Sequence, residues 1–316
     1  MIRSYLMNEG RLERRDAVSD EALWIDMIDP TGAEVDAVER LLGFSVPARA
    51  DMEEIEVSSR LYLADGGAIM TAILPAHTET DDPEMSPVSF VLAKDRLVTI
   101  RYHEPRAFTT FPARAEREAP TLETAEGVLI ALLEAVVDRL ADILERAAQE
   151  IDGLSRRIFQ RDEAETDHEK VLGAVGAKGE LLSNIRDSLV TLDRLARFLG
   201  HVAQGRATAN DLRDRIKTLS RDVRSLLDHA GFLSQKITFL LDATLGMISI
   251  EQNAIIKIFS VVAVMFLPPT LIASVYGMNF QHMPELAWPL GYPIAVAAMV
   301  ISAILPYFYF KRRGWL

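Results

Sequence analysis

The chain ends in two long stretches of uncharged, mostly apolar residues. Residues 258–276 and residues 286–310 contain no charged side chain. Each stretch is long enough to cross the hydrocarbon core of a bilayer, which is ~30 Å thick and needs a helix of ~20 residues. Only the short segment 277–288 joins them, so the pattern predicts a helical hairpin in one membrane. The alternative, a buried hairpin in a soluble domain, is disfavoured by the length of both stretches.

A long helix is predicted to lead into the first of these stretches. Between Asp211 and Tyr276 there is no proline before Pro268, and the only glycines are Gly231 and Gly246. We therefore expect one continuous helix, which would be about 100 Å long at a rise of about 1.5 Å per residue. Two helices separated by a break near Gly246 are the alternative.

Two further amphipathic stretches precede this helix. Apolar residues recur at intervals of three and four over 121–159 and again over 166–204, which predicts two long helices. Gly200, Gly205 and Asn210 are expected to interrupt the second helix before the third begins.

The first part of the chain has the pattern of short strands. The predicted strands lie at 22–28, 60–63, 68–74, 88–92 and 97–102. Turn sequences at 64–67 and 93–96 separate the last four into two hairpins, and a helical pattern at 31–42 follows the first strand. We expect a small α/β domain here.

The charge is divided unevenly along the chain. The whole protein has 46 acidic against 34 Lys and Arg residues, whereas residues 250–316 hold four basic and two acidic side chains. The preceding part is therefore strongly acidic, which argues against nucleic acid as a partner and suits cations. The chain has no cysteine, so disulfides and thiolate metal sites are excluded. No apolar signal-peptide core is expected at the N-terminus.

Basic residues predict the orientation of the hairpin. Lys257 precedes the first span and residues 311–313 follow the second, whereas segment 277–288 has no Lys or Arg and one acid, Glu285. The positive-inside rule therefore places both chain ends in the cytoplasm. Aromatic residues that fit interfacial anchoring are Tyr276, Trp288, Tyr292, Tyr307, Tyr309 and Trp315.

Two spans per chain cannot enclose a hydrophilic path, so a channel requires several copies. A heptad-spaced stripe on the first span, small or polar at several positions, is the candidate pore lining. It consists of Asn253, Ile256, Ser260, Ala263, Leu267, Thr270 and Ser274. Small residues that only allow close helix packing in lipid explain the stripe equally well. Pro268 and Pro269 free the carbonyls of Val264 and Met265, which pore water could solvate.

The stripe carries no carboxylate, whereas a site for a dehydrated divalent ion normally supplies charged oxygen ligands. A neutral path suits an ion that keeps its water, and Mg²⁺ is the most reluctant to lose it. Asn279 side-chain oxygens and Gly277 carbonyls could accept hydrogen bonds from those waters. Leu267 and Ile256 could close the path by dewetting.

Several motifs along the whole chain carry a family resemblance. They are Tyr276-Gly277-Met278-Asn279-Phe280, Met283-Pro284-Glu285-Leu286, the segments 250–260, 266–270 and 309–316, Trp24-Ile25-Asp26, and the acidic run 51–56. Together they resemble the CorA family of magnesium channels, in its proteobacterial branch. The triplet Gly277-Met278-Asn279 is a weak signal alone and a specific one in this setting.

The resemblance implies an α+β membrane protein assembled as a homopentameric funnel in the bacterial inner membrane. It implies uptake of Mg²⁺, with Co²⁺ and Ni²⁺ as secondary substrates, and no cofactor apart from Mg²⁺ as a regulatory ligand. Gly277, Met278 and Asn279 would form the selectivity filter, and the stripe would line the pore. Regulatory Mg²⁺ would bind between subunits, and the candidate ligands are Glu79, Asp81, Asp82, Glu84, Asp222 and Asp228.

The expected domain organisation follows from the same features. It comprises a cytoplasmic α/β domain (1–120), a long-helix stalk (121–253), a first span (254–276), an external loop (277–288), a second span (289–310) and a basic tail (311–316).

Two other functions remain open from the sequence. A zinc transporter of the same superfamily, the ZntB type, usually differs at the middle of the triplet, so Met278 argues against it. A membrane-tethered cation sensor or enzyme is the other possibility. No P-loop, G-x-S-x-G motif or metal-spaced histidine set is present, so we expect no enzyme.

Overall fold

The structure is a computed structural model. It describes residues 1–8, 11–64, 66–80, 83–115, 122–159, 168–206, 208–279 and 283–315. The chain divides into two compact units, Met1–Leu241 and Asp242–Leu316.

The first unit contains a mixed β-sheet. Its described strands are β1 (Ile2–Asn8), β2 (Arg11–Arg15), β3 (Trp24–Ile28), β4 (Leu61–Ala64), β5 (Gly67–Ala76), β6 (Glu84–Leu92) and β7 (Leu97–Arg101). They lie in the order β2-β1-β3-β7-β6-β5-β4. The β3–β7 pair is parallel, and the other neighbours are antiparallel. Both predicted hairpins, β4–β5 and β6–β7, are confirmed.

The helices account for most of the remaining described chain. They are α1 (Gly32–Leu42), α2 (Arg49–Glu53), α3 (Val57–Arg60), α4 (Arg106–Ala115), α5 (Ala125–Phe159), α6 (His168–Gly205), α7 (Asn210–Tyr276) and α8 (Gly291–Arg312). A 3₁₀ turn at Pro284–Ala287 precedes α8. The prediction of one continuous helix to Tyr276 is confirmed, since α7 passes through Gly246 without a break.

Two features differ from the sequence predictions. Strands β1 and β2 were not predicted, and the charged β2, in which Leu12 is buried but residues 13–15 are exposed, pairs only with β1 at the sheet edge. The predicted interruption at Gly200 is wrong, because α6 continues to Gly205. Burial of its neighbours Leu199, Val202 and Ala203 offsets the cost of a helical glycine, about 0.5–1 kcal/mol.

The sheet has a core on each face. On one face, Ile25, Met27 and Ile100 pack with Val38 of α1 and Met52 of α2. The opposite face holds aromatic side chains and one buried ion pair. Trp24 stacks on Tyr5 with ring centroids 4.3 Å apart, and its ring lies 6.3 Å from that of Phe108 in α4.

Specific hydrogen bonds fasten α6 and the residue that follows it to this sheet. Thr191 of α6 accepts a 3.0 Å hydrogen bond from the backbone amide of Ile73 in β5. Arg206 donates to the carbonyls of Leu92 and Ala93. The position of α6 on the sheet is thereby fixed at two separate points.

The beginning of α7 is joined to α5 by a bidentate ion pair. Arg215 donates to the Glu134 carboxylate at 3.0 and 2.6 Å. Glu134 also raises the pKa of Arg215.

Candidate ion pathway

Two of the described helices are long and apolar enough to span a membrane. They are α7 and α8, and only 6% of the apolar window of each is buried within the chain. The core helix of a soluble protein would be mostly buried. The low buried fraction therefore argues against the alternative that α7 and α8 form a buried hairpin in a soluble domain. Lipid or further copies of the chain must cover the exposed apolar surface.

One side of the apolar part of α7 is covered by the chain itself. Val261 is 2% exposed, and Met265, Pro268 and Ile272 are partly buried. Successive residues of an α-helix are about 100° apart around its axis, so these four residues share one side. The structure therefore defines a covered side of the first span.

The predicted stripe lies on the opposite side of α7. Its members Asn253, Ile256, Ala263, Leu267, Thr270 and Ser274 are exposed, and Ser260 is partly buried. About 140° separates the middle of this stripe from Val261 at the same helical spacing. The structure thus places all seven candidate pore residues on one face, and six of them are exposed in the single chain.

The two hydroxyl groups in the middle of the stripe are oriented by backbone hydrogen bonds. Ser260 donates to the carbonyl of Ile256 at 2.7 Å, and Thr270 donates to the carbonyl of Phe266 at 2.7 Å. A hydroxyl has one hydrogen to donate, so in this arrangement each oxygen presents only acceptor lone pairs to the stripe. Acceptors suit a hydrated cation, because its water molecules turn their hydrogens outward.

The proline pair does not interrupt the helix. Pro268 and Pro269 both lie inside α7, and they leave the carbonyls of Val264 and Met265 without their intrahelical donors. Met265 lies on the covered side, and the contact of the two freed carbonyls with pore water stays a prediction. Val264, which is 42% exposed, is closer to the stripe.

The candidate filter begins directly where α7 ends. The amide of Gly277 donates to the Ala273 carbonyl at 2.9 Å, which closes the last turn of the helix. A Cβ atom at Gly277 would lie 3.0 Å from that same carbonyl oxygen. Backbone oxygen cannot move aside easily, so the position favours glycine. Met278 is 47% exposed and Asn279 is also exposed, so both side chains are available to a ligand.

The candidate regulatory residues have different surroundings. Glu79 accepts a 2.8 Å hydrogen bond from Arg139 and also pairs with Arg106. The bond from Arg139 and the charge of Arg106 hold the pKa of Glu79 below its usual value. These partners lie 60 and 27 residues away, so no local sequence signal predicts them. A metal ion at Glu79 would compete with both arginines.

The remaining acidic candidates do not form a metal site within the described part of one chain. Glu84 begins β6, and Asp222 and Asp228 are exposed on α7. The two aspartates are six residues apart and therefore lie on different sides of the helix. Among the described residues, no group of three or more His, Cys, Asp or Glu side chains could hold a metal ion. Asp81 and Asp82 lie outside the described residues.

The fold has two helices long and apolar enough to span a membrane. The family described as "CorA-like Mg2+ transporter protein" matches residues 19–312. The magnesium transport protein CorA of Pasteurella multocida is 37% identical over the full length of both chains. This chain belongs to the CorA-like Mg²⁺ transporter family, whose members are transporters and not enzymes.

Solved structures give the same fold. The complete CorA magnesium transporter of Methanocaldococcus jannaschii has a TM-score of 0.82 at 22% identity, covering 100% of this chain and 99% of that one. The ZntB cytoplasmic domain of Vibrio parahaemolyticus has a TM-score of 0.57 at 11% identity, covering 78% of this chain and 97% of that one. The likeness to these structures shows the fold alone.

Proposed function

We propose that this protein is a Mg²⁺ uptake channel of the bacterial inner membrane that also admits Co²⁺ and Ni²⁺. Gly277, Met278 and Asn279 form the external selectivity filter, and the stripe on α7 lines the pore. The observation that carries the proposal is the uncovered stripe of acceptor oxygens that leads to this triplet. Full-length similarity to magnesium transport proteins supports Mg²⁺ as the substrate.

The proposed filter recognises the hydrated ion. Mg²⁺ gives up its water reluctantly, and the stripe has no carboxylate that would replace a water ligand. The Asn279 side-chain oxygen and the oxygens of Thr270 and Ser260 accept hydrogen bonds from the shell. Such contacts are strong enough to orient the ion and weak enough to release it, as conduction requires.

The pore in this proposal is formed by five copies of the chain. The side of the first span around Val261 is covered by its own chain, so the opposite stripe is free to face a common axis. Both termini lie in the cytoplasm, because Lys257 and residues 311–313 flank the two spans. Leu267 and Ile256 then form apolar rings that close the path by dewetting.

Gating in this proposal depends on cytoplasmic Mg²⁺ bound between acidic faces of adjacent subunits. Bound Mg²⁺ neutralises the repulsion between the acidic faces and keeps the ring of subunits closed. When Mg²⁺ dissociates, α7 transmits the resulting change to Leu267 and Ile256. Mg²⁺ shifts the equilibrium only through its different affinities for the two states. Asp228 is the strongest candidate ligand, because it lies opposite Ala230 and Val223, which are buried in its own chain.

The decisive experiment is Mg²⁺ uptake into liposomes that contain the purified protein. We expect potential-driven uptake by wild type, loss of uptake in Asn279→Ala, and normal uptake in Gln204→Ala, a control on the exposed surface of α6. The oligomer of each variant is checked by size-exclusion chromatography. Unchanged uptake in an assembled Asn279→Ala channel would place the filter elsewhere.

The same vesicles test the alternative function of zinc transport. The likeness in fold to the ZntB cytoplasmic domain is the reason to include it. Uptake of Zn²⁺, Co²⁺ and Ni²⁺ is measured against Mg²⁺ in separate vesicles. Zinc flux without Mg²⁺ flux would establish the zinc transporter in place of the magnesium channel. No flux of any of these ions would favour a sensor without transport.

The gating proposal has its own test. Asp228→Asn should raise the Mg²⁺ concentration that half-closes the channel, because one ligand charge per subunit is lost. Asp222→Asn, on a different side of α7, should have a smaller effect. An equal closure concentration in wild type and Asp228→Asn would remove Asp228 from the regulatory site.

A further inference from the structure

The cytoplasmic end of α8 carries a compact group of cations and aromatic rings. Lys311 and Arg312 end the helix, Arg313 follows, and all three are exposed. Residues 286–316 contain no Asp or Glu. The three positive charges therefore have no acidic side chain on their own segment.

This end of the chain is folded back upon itself. Gly314 has φ +70°, in the left-handed region that glycine adopts readily. The Trp315 amide consequently reaches the carbonyl of Phe310 at 3.1 Å, and the two rings stack with centroids 5.3 Å apart. The turn holds the cations close to the last turn of the helix.

Two of the cations are placed over tyrosine rings. The Lys311 ammonium lies 5.8 Å from the centroid of Tyr307, and the Arg313 guanidinium carbon lies 5.7 Å from that of Tyr309. Both distances fall within the ~6 Å range of cation–π attraction. The site thus presents fixed positive charge beside aromatic surface at the depth where such rings meet lipid headgroups.

We propose that Lys311, Arg312 and Arg313, with Tyr307 and Tyr309, bind the phosphate of an anionic phospholipid. Basic residues immediately cytoplasmic of a span attract anionic headgroups. The same surface has an apolar component, since Tyr309 is 57% exposed. A lipid supplies both a phosphate for the cations and acyl carbon for the rings.

A carboxylate from another part of the protein is the competing occupant. It would satisfy the cations but would not cover the exposed rings of Phe308 and Trp315, which are 62% and 43% exposed. The two occupants predict different dependences on lipid composition, which makes them separable by experiment.

The test uses full-length protein in vesicles in which brominated phosphatidylglycerol replaces brominated phosphatidylcholine. A Trp288→Phe background removes the tryptophan near the other end of the hairpin. Trp24, at 0% exposure, is buried in the sheet, so Trp315 reports lipid contact. Arg312→Gln/Arg313→Gln is compared with Arg156→Gln/Arg157→Gln, an exposed arginine pair near the end of α5.

We expect Trp315 in the background protein and in the α5 control to be quenched preferentially by phosphatidylglycerol. The Arg312→Gln/Arg313→Gln variant should lose roughly 25-fold in this preference, since each cation near an anionic surface contributes about fivefold. Arg312→Lys/Arg313→Lys should retain most of the preference because it keeps both charges.

Two results would overturn the proposal. Equal quenching by both lipids in the background protein would show that no anionic lipid is selected. An unchanged lipid preference in Arg312→Gln/Arg313→Gln, with lower thermal stability even in pure phosphatidylcholine, would assign the cations to a protein carboxylate. Neither readout depends on Mg²⁺ transport, so the proposed function is tested separately.

Discussion

The Thr270 hydroxyl, on the exposed stripe of α7, donates a 2.7 Å hydrogen bond to the Phe266 carbonyl. Ser260 repeats this arrangement with Ile256. Because both hydroxyl hydrogens are engaged within the helix, these positions offer acceptors only. In the proposed pore, acceptors favour the water shell of a cation over that of an anion.

Replacing Thr270 by valine tests this role. Thr270→Val keeps the branched shape but removes the acceptor oxygen, so we expect Mg²⁺ uptake in liposomes to fall about tenfold or more. The estimate follows from about 1.5–3 kcal/mol for a hydrogen bond to a charged group. Thr270→Ser, which retains the hydroxyl, should keep most of the uptake. Equal uptake by Thr270→Val and wild type would show that this oxygen does not contact the ion shell.

Gly277 is predicted to tolerate no side chain. The Cβ atom of Gly277→Ala would lie 3.0 Å from the Ala273 carbonyl oxygen, so the end of α7 would have to shift and displace Asn279. We expect Mg²⁺ uptake to be lost while the oligomer remains assembled.

The matched control for this prediction is Gly153→Ala in α5, where no atom lies within 4 Å of the new methyl group. That substitution should preserve uptake and stabilise the helix by about 0.5–1 kcal/mol. Normal uptake by Gly277→Ala would mean that the filter does not depend on this backbone approach.

Local pattern was sufficient to predict the elements that carry the pathway. The absence of proline before Pro268 predicted one helix to Tyr276, and the heptad spacing placed Asn253 and Ser274 on one face. Both inferences use interactions between near neighbours in the chain. The opposite, covered side of α7 was not predictable, because it depends on tertiary packing around Val261.

Long-range ion pairs were equally beyond prediction from sequence. Trp24-Ile25-Asp26 was recognised as a motif, but its partner Arg101 is 75 residues away and is brought alongside by the parallel β3–β7 pairing. The charged edge strand β2 was missed for a related reason. Its charged sequence lacks the alternation that burial would impose, and only its pairing with β1 makes it a strand.

The buried pair of Asp26 and Arg101 is predicted to be essential for stability. Their side chains are 1% and 0% exposed, and Arg101 donates to the carboxylate at 3.1 and 2.9 Å. Arg101→Leu would leave a buried carboxylate without its cation, at a cost of about 3–5 kcal/mol. Denaturant unfolding of the full chain in detergent, followed by Trp24 fluorescence in a Trp288→Phe/Trp315→Phe background, measures this loss.

A double variant separates the lost pair from lost packing. Asp26→Leu/Arg101→Leu removes both charges, so it should be more stable than Arg101→Leu alone. If the double variant were less stable by the sum of the two single losses, the charge would not be the source of the cost.

The stability of the α/β domain is predicted to depend on the protonation of His103. Its ring is buried, with Nε2 2.8 Å from the Leu74 carbonyl. Burial is the main cause that lowers the pKa of His103 below 6.5, and the charges of Arg101 and His77 lower it further. The hydrogen bond to the Leu74 carbonyl and the charge of Glu84 raise the pKa and so oppose this shift. The unfolded chain therefore binds a proton at a higher pH than the folded chain. The His103 contribution to the free energy of unfolding should fall as pH decreases below about 6.5, until the folded-state pKa is reached.

The measurement is denaturant unfolding at a series of pH values from about 8 to about 5. We expect the free energy of unfolding to decline less steeply with decreasing pH in His103→Gln than in wild type. Parallel declines in the two proteins would assign the pH dependence to other groups.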